Sequence, residues 1–142
     1  MFDRQLEPFH GQARIIEDAA RISGLFQTFA VPSAATGIQF ALRGIDLRAT
    51  PGHPPDAFEV ALFDSATAAS ALPPIAGLPG TDAVLNLQAD GTLSLAPGVT
   101  VTPDGPDLIV TIDLTGLEAR PEAVTLVFDL IGLGRIDSSV GV

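Results

Sequence analysis

Residues 55–64 read Pro-Asp-Ala-Phe-Glu-Val-Ala-Leu-Phe-Asp, and the alternation within them decides the fold class. In an extended strand successive side chains point to opposite faces. Phe58, Val60 and Leu62 therefore share one wholly apolar face, while Ala57, Glu59, Ala61 and Phe63 share another that mixes small residues, a carboxylate and an aromatic ring. Such a strand packs one side on a core and leaves the other for a different use. The same period recurs in residues 124–131, where Val124, Leu126, Phe128 and Leu130 alternate with Thr125, Val127, Asp129 and Ile131. Over residues 38–47 it is carried by Ile38, Phe40 and Leu42, then slips at Gly44 so that Ile45 and Leu47 continue the apolar side. A β-bulge at or near that glycine would absorb the extra residue.

Outward from these three strands, residues 12–17, 22–31, 83–89, 92–96, 99–102, 108–114 and 136–142 read as further short strands. Twelve prolines and fourteen glycines punctuate them, as in an all-β chain. Pro32 ends one strand, and the prolines of residues 50–55 make a rigid loop into the Phe58 strand. Asp90-Gly91 predicts a two-residue hairpin turn, and Pro103-Asp104-Gly105-Pro106 the turn of the next hairpin. Residues 65–79, rich in alanine and proline, predict an irregular connection. Nine or ten short strands with turns between them predict an all-β, two-sheet antiparallel β-sandwich, jelly-roll-like in character. The chain of 142 residues is one domain's worth: an arm over residues 1–11, with Phe2, Leu6 and Phe9 tucked down, then a single sandwich over residues 12–142. Strand order does not follow from the pattern.

Composition narrows the function classes. Hydrophobic residues make up 46% and charged residues 17%, which argues for a packed core and against disorder. The formal charge is −10, with seven arginines and no lysine, so phosphate backbones and anionic lipid would be repelled and a nucleic-acid partner is not expected. No apolar run approaches the ~20 residues of a membrane helix, so membrane insertion is not expected either. The absence of cysteine leaves oxygen ligands and two histidines for any chemistry. His10 and His53 read as exposed residues with no orienting partner in the sequence, and no nucleophile-elbow or phosphate-cradling motif occurs. Glu59 and Asp64 fall on opposite faces of their strand; Glu59 with Asp129 is the one carboxylate pair that could serve a hydrolase. The expectation is a non-enzyme.

Three stretches in succession carry a resemblance: Leu25-Phe-Gln-Thr-Phe-Ala-Val-Pro, Ile38-Gln-Phe-Ala-Leu, and Asp56-Ala-Phe-Glu-Val-Ala-Leu. Together they resemble the carbohydrate-binding-type, galactose-binding-like β jelly-roll modules of large multidomain secreted bacterial proteins, over most of the chain. The resemblance implies a non-catalytic, extracellular or cell-surface module within a longer exported chain, of adhesion or carbohydrate-binding type. It also implies a structural calcium ion near the sandwich edge. The chain departs from such modules in having neither tryptophan nor tyrosine, the usual sugar platforms. Its first residues carry no secretion signal, so the expectation is either a cytoplasmic chain or, as the resemblance implies, a piece of a longer exported protein.

Candidate residues follow. If Phe58, Val60 and Leu62 face inward with Ile38, Phe40 and Leu42, then Gln39, Arg43, Glu59, Phe63 and Asp129 all face outward. Phe63 is the expected platform for a glycan, with Gln39, Arg43 and Glu59 as polar partners. The plainer alternative is an ordinary exposed face on which Arg43 and Glu59 form a cross-strand ion pair worth under about 1 kcal/mol. For calcium, the expected ligands are Glu17 and Asp18 at the corner after the first strand, with Asp46 and Asp137 near other strand ends. A further class is a structural spacer or a self-assembling subunit, in which the last strand, cut short at Val142, offers an edge to other protein modules by strand addition.

Overall fold

The computed structural model describes residues 13–16, 22–49, 51–52, 54–78, 80–117, 119–132 and 138–142. The alternating stretches become ten strands: β1 (Arg14–Ile16), β2 (Ile22–Ala30), β3 (Gly37–Asp46), β4 (Ala57–Asp64), β5 (Ala83–Gln88), β6 (Leu93–Leu95), β7 (Val99–Asp104), β8 (Asp107–Asp113), β9 (Ala123–Ile131) and β10 (Ser139–Gly141). The described residues contain no helix. The expected arm over residues 1–11 lies outside the described residues.

Two five-stranded antiparallel sheets form, with orders β1-β10-β3-β8-β7 and β2-β9-β4-β5-β6. The pairing is nested: β1 with β10, β2 with β9, β3 with β8, β4 with β5. A chain folded first as one long ribbon and then rolled so that its strands fall alternately in two sheets gives this order, which is that of a jelly roll. The short β6 and the strand β7 extend the outer margins. The molecule is thus the expected all-β two-sheet sandwich.

The core lies between the sheets. Phe58, Val60 and Leu62 from β4 and Val124, Leu126, Phe128 and Leu130 from β9 meet Leu42, Val110 and Ile112 from the first sheet, all of them buried. Phe128 joins the layers, its ring edge-on to Phe40 of the opposite sheet at 5.2 Å and stacked beside Phe58 at 6.3 Å. Each such buried side chain contributes about 1.5–3 kcal/mol of hydrophobic stabilisation. The irregular connection after β4 also joins the core through Leu72 and Ile75.

The slip at Gly44 is a bulge. Ser139 pairs with Asp46 but Gly141 pairs with Arg43, so two steps on β10 answer three on β3. Gly44 sits at φ 52°, the left-handed conformation that glycine adopts without steric penalty. Beyond it Ile45 and Leu47 return to the core, as the sequence pattern requires.

Two turns differ from expectation. In the β5–β6 hairpin Gly91 N–H donates to Gln88 C=O and Gln88 N–H to Thr92 C=O, so the loop holds three residues, Ala89, Asp90 and Gly91. Only Gly91 has positive φ, at 89°, because the Asp90 carboxylate accepts the Thr92 N–H and holds the turn in the type I form. In the β7–β8 hairpin the ladder runs on to Asp104↔Asp107, leaving Gly105-Pro106 alone as the loop. Pro103 then lies within β7, tolerated because β7 is an edge strand.

One expectation is overturned. The last strand offers no edge, because β10 is held between β1 and β3 and both its sides are paired. The pairing with the β1 side continues beyond it as Ala13 and Val142 exchange both backbone hydrogen bonds.

Candidate ligand-binding face

The outer face of the second sheet gathers the chemistry. Register places Gly24 of β2, Asp129 of β9, Glu59 of β4, Asn86 of β5 and Ser94 of β6 in one row across all five strands. On one side runs Ile22, Ile131 and Ala57; on the other, Phe26, Val127 and Ala61. Next come Thr28, Thr125 and Phe63, where hydroxyl hydrogen bonds link Thr28 to Thr125 at 2.8 Å and Thr125 to Ser65 at 3.2 Å. The result is a polar row bordered by apolar ones, floored by alanines at Ala57 and Ala61. Phe26, 69% exposed, is the accessible ring; Phe63 is half-buried.

Glu59 and Asp129 stand directly opposite each other on neighbouring strands, an arrangement that like charges disfavour. They lean apart. Glu59 Oε1 accepts from Asn86 Nδ2 at 2.8 Å, drawing it toward β5. Asp129 leans over Gly24, whose missing side chain makes the room: a Cβ there would lie 2.4 Å from Asp129 Oδ1. Partial burial pushes the Asp129 carboxyl above its usual range, since the charged form is less well solvated. No arginine partners either carboxylate among the described residues. Arg14 donates to Ser139, Arg43 lies near Asp107, Arg48 pairs with Asp46, and Arg120 donates to the carbonyls of Pro32 and Ala35. Asn86 is buried, and its Oδ1 has no hydrogen-bond partner.

No family model, curated protein or solved structure matches this chain.

The five expected ligand residues do not share one surface. Glu59, Phe63 and Asp129 lie together on the second sheet, while Gln39 and Arg43 belong to β3 of the first, whose outer face points the opposite way. The chain crosses between sheets after β3, so neighbours in sequence become opposite sides of the sandwich. Gln39 Nε2 donates to Thr111 Oγ1 at 3.1 Å, and Arg43 Nε lies 3.9 Å from Asp107 Oδ2. The Arg43–Glu59 ion pair therefore does not form. Sequence reading missed Gly24, Phe26 and Asn86; the alternation of Phe26 and Thr28 against Leu25 and Phe29 was the available signal for Phe26.

Of the expected calcium ligands, Glu17, Asp18 and Asp137 lie outside the described residues, as do His10 and His53. Asp46 has both carboxylate oxygens engaged by Arg48, whose Nε and Nη2 donate at 2.7 and 3.0 Å. That hydrogen-bonded pairing lowers its carboxyl from the ordinary range. No three His, Cys, Asp or Glu side chains among the described residues are grouped to hold an ion.

A second polar cluster, unforeseen from sequence, is structural. Ser138 Oγ donates to the buried Asp56 carboxylate at 2.6 Å and accepts from Arg48 N–H at 2.8 Å, and Asp56 N–H donates to Arg48 C=O. This ties the entry of β4 to the exit of β3 and the start of β10.

Proposed function

We propose that this chain is a non-catalytic binding module whose ligand face is the outer surface of the second sheet, and that the ligand is a polyhydroxylated molecule of glycan type. The observation that carries the reading is the directly opposed pair Glu59 and Asp129, set in a half-buried row with no cationic partner among the described residues. An ionised carboxylate only accepts hydrogen bonds, so a pair of them calls for a ligand that brings donors, as neighbouring sugar hydroxyls do. The apolar strips of Phe26, Val127 and Ile131 suit the aliphatic face of a sugar ring. The resemblance to carbohydrate-binding-type jelly rolls supports the same reading and a place in an extracellular or cell-surface protein.

A glycan array followed by calorimetric titration of the best ligand tests it. Glu59→Gln, Asp129→Asn and Phe26→Ala are each expected to weaken binding tenfold or more with unchanged circular dichroism. Binding that persists in all three folded variants, or an array without a hit, overturns it.

A further inference from the structure

Four strands end the two sheets, and three of them are guarded. β1 and β6 have three residues each, and β7 carries Pro103 and Asp104. β2 is different: nine residues, Ile-Ser-Gly-Leu-Phe-Gln-Thr-Phe-Ala, with no charge, no proline and an unbroken register against β9. Edge strands of this length normally carry a charge, a bulge or a proline that stops another strand from adding.

The hydrogen-bond phase identifies which groups face outward. Val31 N–H donates to Glu122 C=O just beyond the Ala30↔Ala123 pair, so Ala30 is in a non-hydrogen-bonded position toward β9. By alternation Ile22, Gly24, Phe26 and Thr28 share that phase, and all five residues turn N–H and C=O to the sheet edge, which no other described strand pairs. Their side chains line the outer face, where Ile22 and Phe26 are 58% and 69% exposed.

We infer that two copies of this chain join by antiparallel pairing of β2 with β2, about a two-fold axis at Phe26. The stretch complements itself there. Phe26 meets Phe26, Gly24 meets Thr28, and Ile22 meets Ala30, with about ten backbone hydrogen bonds between the chains. At a body charge of −10 a second copy is repelled at most surfaces, and β2 is a strand on which two copies meet without opposing charges. Side-chain chemistry also matches. The Asp129 carboxylate leans over Gly24 toward the edge, where the partner's Thr28 hydroxyl would arrive. Thr28 already ends the chain of hydroxyls from Ser65 through Thr125, so it accepts from Thr125 while giving its own proton to the carboxylate, directly or through one water. The closed pair joins two outer faces into one ten-stranded surface and uses up both β2 edges, so growth stops at two.

Sedimentation velocity over a concentration series from micromolar to hundreds of micromolar tests this on the full chain. A monomer–dimer equilibrium is expected, tightening when salt screens the charge. Phe26→Lys places charges face to face, and Thr28→Pro removes an outward N–H that β9 does not use; each is expected to raise the dissociation constant tenfold or more. Leu93→Lys, on β6, should leave it unchanged, with circular dichroism confirming that each variant folds. A monomer throughout, assembly beyond two, or folded Phe26→Lys and Thr28→Pro proteins that dimerise like the parent would overturn the inference. Glu59→Gln, away from the edge, should dimerise normally, which separates this result from the ligand reading.

Discussion

Gly24→Ala tests how the candidate face is built. The added methyl carbon would lie 2.4 Å from Asp129 Oδ1 and 2.6 Å from the Phe128 carbonyl oxygen, where ordinary contact begins at 3.4 Å. The carboxylate can swing away, but the carbonyl belongs to a central strand and must yield 3.4 − 2.6 = 0.8 Å. Phe128 itself fills the space between the sheets, so displacing its backbone disturbs the core packing at its middle. Overpacking of this kind costs about 1–3 kcal/mol, which outweighs the roughly 0.5–1 kcal/mol that alanine gains over glycine in a regular element. Urea unfolding followed by circular dichroism should show that loss as a lower midpoint with unchanged slope, together with a melting temperature lower by several degrees. Combining it with Asp129→Ala should recover only part of the loss, since the carbonyl contact remains. A Gly24→Ala protein as stable as the parent would refute the close approach and, with it, the reason given for the lean of Asp129.

Other outcomes are open to direct measurement. Phe128→Ala should cost about 3–5 kcal/mol in urea unfolding, because it empties the contact between the sheets. Ser138→Ala should cost about 1–3 kcal/mol by removing one hydrogen bond to the buried Asp56 carboxylate and one to the Arg48 amide; an unchanged midpoint would count against that cluster. The folded-state carboxyl of Asp129 lies above its ordinary 3.8, so the folded protein holds that proton more tightly and loses stability as pH rises through the raised value. Asp129→Asn should therefore be more stable than the parent at neutral pH and equal to it below the ordinary range; the reverse order would refute burial as the cause. Chelator followed by added calcium should leave the melting temperature unchanged if Asp46 stays with Arg48, and a rise on adding calcium would show an ion held elsewhere.

The sequence by itself determined the strands and their inner faces, because burial of one side of a strand imposes a period of two on a local run of residues. Val124, Leu126, Phe128 and Leu130 could face only the core, and the slip at Gly44 could only be a bulge or a broken strand. Turn length was less legible, since the Asp90 carboxylate caps Thr92 and the loop takes one more residue than Asp-Gly alone suggests. Which strands are neighbours was decided by the tertiary structure. Register across strands distant in sequence brought Glu59 to Asp129, whereas rolling the ribbon into two layers sent Gln39 and Arg43 to the other side of the molecule. The same rolling buried β10 inside its sheet and left β2 at an edge. Pairing energy depends on contacts between segments about a hundred residues apart, and no local pattern records which segment will be the partner.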